Sequence, residues 1–287
     1  MLASQMLLNF EEKITITFNA SVYDQEKSKI GYIRRLVIPK GTYEFGLKKP
    51  ISFNKKSTFY NSSNISFDMK LSKDNYDAKN SHYFSNGNVK NIKYFSNFQY
   101  ELLNIQAQTI DGKSLRNAQK GAIYALLSHW SLSQDVATIV LPTGTGKTET
   151  MLVSTIADEA NRVLVIVPTI DLKEQIANKF ASWGILRDLN VIPKDFLNPA
   201  VLILTKILKN NSDISVLQRA EIIVSTPALI ARAPTEIKES LKNVFSHVFF
   251  DEAHHIKAPE WNELKQLFKD AKIVQFTALL TEMIENQ

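Results

Sequence analysis

The chain has 287 residues, enough for about two domains, with 44% hydrophobic and 22% charged residues, the balance of a folded globular chain rather than a disordered one. It has no cysteine, which excludes disulfides, Cys-ligated zinc and iron–sulfur sites. No apolar run approaches the 18 residues or so of a membrane-spanning helix, and Val201 to Leu208 is interrupted by Thr205 and Lys206. The N-terminus, MLASQMLLNFEEK, has no basic n-region, so no signal peptide is expected and the chain reads as cytoplasmic, with no membrane partner.

The net charge of +5 is uneven: residues 1–110 carry 15 Lys/Arg against 9 Asp/Glu, and the remainder 19 against 20. A basic region attracts phosphate backbones, although a solvated Lys- and Asn-rich surface gives the same count. In this first part short β-like runs, Ile14 to Phe18, Tyr32 to Ile38, Ile51 to Phe53 and Ile65 to Phe67, alternate with turn signals at Pro39-Lys40-Gly41, Lys49-Pro50 and Asn86-Gly87-Asn88. A small β-rich or mixed domain is expected over 1–110, with aromatics such as Tyr23, Tyr43 and Phe45 as its core or as stacking surfaces. Glu11-Glu12-Lys13 has the spelling of a nuclease Glu-x-Lys, but no acid precedes it.

Near residue 110 the texture changes. A helix is expected over Leu115 to Trp130, with Leu115, Ala118, Ala122, Ile123, Leu126 and Leu127 on one side. Apolar strands follow at Thr138 to Leu141, Arg162 to Val167, Glu221 to Ser225, His247 to Phe250 and Lys272 to Phe276. They alternate with helical segments at Lys147 to Asn161, Ile170 to Trp183, Thr235 to Asn243 and Glu260 to Lys269, while Ala200 to Leu208 fits either type. Short, wholly apolar strands between helices indicate a parallel sheet buried on both faces, an α/β domain over 111–287.

The sharpest signal is Pro142-Thr143-Gly144-Thr145-Gly146-Lys147-Thr148, between a strand and a helix. Gly144 and Gly146 let the backbone turn its amides inward around phosphate oxygens, and the helix N-terminus adds partial positive charge. Lys147 would reach the β- and γ-phosphates of ATP and the Thr148 hydroxyl would ligate Mg²⁺. The pattern departs from G-x-x-x-x-G-K-[ST] at Leu141, where the first Gly is wanted. Its acidic partner is Val248-Phe249-Phe250-Asp251-Glu252-Ala253-His254: a short strand ending in two acids at the carboxyl edge of a parallel sheet, where ligands bind in open α/β folds. Asp251 would hold Mg²⁺, Glu252 would orient and deprotonate the attacking water, and His254 would couple the site to a neighbouring segment, while His255 reads as a surface histidine.

In this order the segments resemble the first RecA-like lobe of a DEAD/DEAH-box helicase of superfamily 2, nearest the restriction-enzyme-type branch, in which the Pro-Thr-Gly-Thr-Gly-Lys-Thr spelling occurs. Leu115-Arg116-Asn117-Ala118-Gln119 resembles the family's L-R-x-x-Q segment, which implies that Gln119 reads adenine with Arg116 in support. Pro168-Thr169-Ile170-Asp171-Leu172-Lys173-Glu174-Gln175 resembles P-T-x-x-L-x-x-Q, and Ile222-Ile223-Val224-Ser225-Thr226-Pro227 the next backbone-contact motif. The resemblance therefore implies nucleic-acid contacts at Thr169, Gln175 and Thr226, with DNA ahead of RNA. Gln275-Phe276-Thr277-Ala278 resembles the segment that links hydrolysis to lobe movement, though Leu279-Leu280 stand where Thr-Pro is usual. The resemblance covers about residues 111–280. It implies an ATP-dependent helicase or translocase whose second lobe, with its arginine fingers, is absent. The expectation is thus a truncated N-terminal part with weak turnover. The alternative is a nucleotide- and nucleic-acid-binding module, or one subunit of a split enzyme completed by a second-lobe protein or a restriction or defence complex. A nucleotide kinase would lack the Asp-Glu-Ala-His and Pro-Thr segments in this order.

Overall fold

The computed structural model describes residues 14–19, 21–46, 58–61, 65–68, 71–72, 75–76, 82–85, 101–194, 196–252 and 258–278. The expectations for Ile51 to Phe53, Asn86 to Asn88, His254, His255 and Leu279-Leu280 lie outside these residues. Among the described residues no helix is long and apolar enough to cross a membrane.

The first strands are β1 (Ile14–Phe18), β2 (Val22–Lys27), β3 (Gly31–Ile38), β4 (Gly41–Gly46), β5 (Thr58–Asn61), β6 (Ile65–Asp68), β7 (Leu71–Ser72), β8 (Asn75–Tyr76) and β9 (His82–Ser85). There follow α1 (Asn117–Leu132), β10 (Ala137–Val140), α2 (Lys147–Ala157), β11 (Val163–Ile166), α3 (Ile170–Ser182), β12 (Val201–Leu204), α4 (Asn211–Leu217) and β13 (Ile222–Ser225). The last elements are α5 (Pro227–Ala231), α6 (Thr235–Leu241), β14 (His247–Asp251), α7 (Ala258–Leu267) and β15 (Lys272–Thr277).

The chain divides into two compact units, Met1–Gln25 with Arg35–Lys93, and Glu26–Arg34 with Tyr94–Gln287. In the first, β4 pairs antiparallel with β1 and parallel with β5, and Phe18 packs edge-on against Tyr43 at 5.9 Å. Two-stranded ribbons β6–β9 and β7–β8 complete what is described of it.

The second unit is built on parallel strands in the order β10-β15-β14-β11-β13-β12. β11 (VLVI), β12 (VLIL), β13 and β14 are buried at every position, as strands covered by helices on both faces must be. The ambiguous run Ala200 to Leu208 is therefore strand, Val201–Leu204, followed by a polar turn. Leu164, Leu202, Ile223, Val248 and Ile273 belong to one continuous core. On α1 the buried face is Gln119, Ile123, Leu126 and Trp130, a stripe at i, i+4, i+7 and i+11; Ala118, expected on that face, is exposed, because it lies about 100° round the helix from Gln119.

The composition break near residue 110 is not the edge of this unit. Gly31–Arg34 of β3 lies antiparallel along β12, pairing Gly31 with Leu204 and Ile33 with Leu202, and Ile30 and Ile33 enter the core. A Cβ on Gly31 would meet the Ile203 carbonyl oxygen at 2.0 Å, so only glycine allows this approach. Arg34 adds a hydrogen bond to Asn178 and a 3.1 Å ion pair with Glu174, both on α3.

Candidate nucleotide site

All strand ends that carry the expected motifs fall on the carboxyl edge of the parallel sheet. β15 lies between β10, which leads into the phosphate loop, and β14, which ends in Asp251. Val140 is opposite Thr277, and Asp251 opposite Phe276.

The loop geometry follows from its two glycines. Gly144 has φ +77° and Gly146 φ +97°, both left-handed. A Cβ on Gly146 would come within 1.9 Å of the Gln119 side-chain nitrogen. The Thr145 hydroxyl donates to the Pro142 carbonyl at 2.5 Å, closing the turn. Arg116 donates from its guanidinium to the Gly144 carbonyl. Gln119 accepts from the Arg116 amide at 2.8 Å and donates to the Gly146 carbonyl at 3.1 Å. The L-R-x-x-Q segment thus buttresses the loop directly. Pro142 and Thr143 are exposed, and Thr148 is half-buried in the first turn of α2.

Lys147, at the start of α2, makes an ion pair with Glu252, at the end of β14. This contact brings the phosphate loop and the acidic pair into one place. Glu252 turns off the sheet at φ +49°, a left-handed conformation for a non-glycine, the kind of strain of about 1–3 kcal/mol that functional sites hold. Asp251 is 6% exposed. Burial first, and the neighbouring Glu252 charge second, push its carboxyl up to about 6, with Lys147 acting in the opposite direction. Such a carboxylate is short of positive charge. Among the described residues no three His, Cys, Asp or Glu gather as a metal cage. The donor set, one buried carboxylate next to the Glu252 that pairs with the phosphate-loop Lys147, fits Mg²⁺, which takes one or two carboxylates and completes its shell with phosphate oxygens and water.

Beside the loop opens a cleft of about 680 Å³, lined among others by Arg116, Gln119, Gly146, Glu149, Lys179 and Ile185. Glu149 and Lys179, paired at 3.2 Å, were not singled out by the sequence. Glu149 stands in an ordinary acidic first helix turn, and Lys179 on another helix, so no spacing links them.

Thr277 is fully buried, and its carbonyl accepts from the Leu141 amide at 2.9 Å; Ala278 follows at the edge. Thr169 and Thr226 end adjacent strands, β11 and β13, and lie at the same edge. Thr169 caps α3, its hydroxyl accepting from the Leu172 amide at 3.4 Å, whereas Thr226 makes no side-chain cap on α5. Gln175 is exposed on α3, more than a turn from Thr169.

A sequence profile of the family described as type III restriction enzyme, res subunit, matches residues 112–282. Reverse gyrase 1 of Sulfurisphaera tokodaii is 27% identical over 158 residues, 54% of this chain and 13% of that protein. Among solved structures, the UvsW helicase of bacteriophage T4 aligns with a TM-score of 0.43 and 17% identity over 63% of this chain and 60% of its own. The Hef helicase domain of Pyrococcus furiosus aligns with a TM-score of 0.36 and 25% identity over 60% and 37%. The chain therefore spans a small part of the curated relative and less than two thirds of these structural neighbours.

Proposed function

The chain belongs to the family described as type III restriction enzyme, res subunit, and from that membership we propose that its second unit is the ATP-binding lobe of a nucleic-acid helicase or translocase that works in the cytoplasm on DNA. The observation that carries the reading is the ion pair between Lys147 and Glu252, which joins the phosphate loop to the acidic strand end. Asp251-Glu252-Ala253-His254 is then a DEAH box.

In this reading the amides of Gly144 to Lys147 and the Lys147 ammonium enclose the β- and γ-phosphates. Lys147 exchanges Glu252 for phosphate oxygens, and this releases the Glu252 carboxylate to accept a proton from water. Asp251 and Thr148 would hold Mg²⁺, which when bound would supply positive charge to the phosphate oxygens. Arg116 and Gln119 keep the loop in its turn and border the cleft in which the base would sit, with Gln119 reading adenine. Thr277 and Ala278, at the end of the strand between the two halves of the site, link hydrolysis to movement of a second lobe. Thr169, Gln175 and Thr226 receive the backbone of a nucleic-acid strand. A second lobe, in the same polypeptide or a partner, would close over the triphosphate and raise turnover.

The test is an equilibrium titration of the whole chain with a fluorescent ATP analogue, in Mg²⁺ and in EDTA, for the wild type and Lys147→Ala. The expected result is saturable binding that weakens at least tenfold in EDTA and in the variant. Equal affinities for the two proteins would remove the nucleotide site.

A further inference from the structure

The carboxyl edge continues past β12. Because Gly31–Arg34 runs antiparallel to β12, the start of β3 lies where β12 ends, and Gly31 is opposite Leu204. The turn leading into β3 is fastened there: the amides of Thr205 and Lys206 both donate to the Ile30 carbonyl, at 2.9 and 3.1 Å. Ser28 closes the turn, its amide and hydroxyl donating to the Gly31 carbonyl at 2.8 and 2.9 Å. Lys27, Lys29 and Lys206 are exposed around it. Among the described residues none of the three is in an ion pair, and the acid beside them, Glu26, is engaged by Arg219.

The edge thus runs from Thr169 on β11, past Thr226 on β13 and Thr205-Lys206 on β12, to the Lys27–Ile30 turn before β3. At about 4.8 Å per strand this is roughly 14 Å, the reach of several phosphates of one strand. Hydroxyls stand at its inner end and unpaired ammonium groups at its outer end. We propose that the Lys27–Ile30 turn and Lys206 form a phosphate-backbone subsite for single-stranded nucleic acid, extending the strand that Thr169 and Thr226 receive. This rests on the helicase reading for the direction of the strand, but not on ATP binding. Lysines contribute as point charges here, so the subsite adds affinity without sequence preference.

The experiment is fluorescence anisotropy of the whole chain with labelled 16-residue oligo-dT and oligo-rU over a salt series. The double variant Lys29→Ala/Lys206→Ala alters exposed side chains only, and an unchanged melting temperature together with unchanged fluorescent-ATP binding verifies that the fold and the nucleotide site persist. The expected result is affinity about tenfold lower near 0.1 M salt, with the slope of log K against log salt shallower by about 1.4, two phosphates at about 0.7 each. Equal losses on dT and rU assign the subsite to the shared phosphate chemistry, and a loss confined to one polymer overturns that assignment. Unchanged affinity and slope overturn the subsite. If Thr169→Ala/Thr226→Ala binds as the wild type while the lysine variant does not, the subsite stands and the threonine contacts fall. If the wild type binds neither polymer, both fall.

Discussion

At the residue scale the decisive group is Asp251. Its carboxyl, raised to about 6 by burial and by Glu252, is more basic in the folded chain than in the unfolded one. The folded state therefore binds the extra proton more readily, and stability falls as pH rises from about 4 to about 6. Asp251→Asn removes this penalty. By about 1.4 kcal/mol per pH unit, the variant is expected to gain about 3 kcal/mol at pH 8 and nothing at pH 3.5, read by denaturant unfolding at the two pH values. Loss of stability at pH 8 would show that burial does not penalise the ionised carboxyl. The same protonation opposes cation binding, so Mg²⁺-dependent nucleotide affinity is expected to drop as pH falls from 8 to 5.5. Gly146→Ala meets both a left-handed φ and the Gln119 amide, and is expected to disrupt the loop and abolish nucleotide binding. The loop and the acid pair were legible in sequence because each is a contiguous string with fixed chemistry. The Glu149–Lys179 pair was not, since it joins two helices through space.

At the scale of elements, the site is held from behind. Asp158, at the end of α2, accepts from Lys272 at 2.6 Å and pairs with His247 at 2.7 Å. These residues sit at the opposite ends of the three elements that carry Lys147, Thr277 and Asp251. Burial alone would raise the Asp158 carboxyl, but the hydrogen bonds and charges of His247 and Lys272 outweigh it and hold it below its ordinary value. A depressed carboxyl stabilises the fold above its unfolded pKa, so this contribution is lost only as pH falls below about 3.8. Asp158→Ala removes the acceptor shared by the buried His247 ring and the half-buried Lys272 ammonium and is expected to cost about 2 kcal/mol at pH 7, measured by chemical unfolding. A change below about 0.5 kcal/mol would mean that the tie is merely a surface contact. The parallel strands were readable because burial on both faces forces unbroken Val, Ile and Leu. Helix α4 was not, since it is only seven residues long, too short for a helical period to stand out, and its start depends on the Asn210–Asp213 capping box. On α1 the buried stripe includes the polar Gln119, which apolar periodicity does not count, and this leaves Ala118 off the face expected for it.

At the scale of the whole molecule, the boundary near residue 110 was drawn from composition, and composition is blind to a strand that pairs across 170 residues of chain. Gly31–Arg34 covers β12, and Ile30 and Ile33 enter the core. A fragment starting at residue 111 is therefore expected to expose the β12 edge and to aggregate or melt well below the full chain, as followed by light scattering and thermal unfolding. A fragment as soluble and stable as the whole would show that the segment is dispensable.

The most direct test of the central claim, that Lys147 and Asp251 serve one triphosphate–magnesium site, is a double-mutant cycle on Mg²⁺-ATP affinity with Lys147→Ala, Asp251→Asn and the pair. Shared work on one ligand requires the two losses to be strongly non-additive, the second substitution costing far less once the first is made. Losses that multiply within about twofold would place the two residues in independent roles and contradict the site.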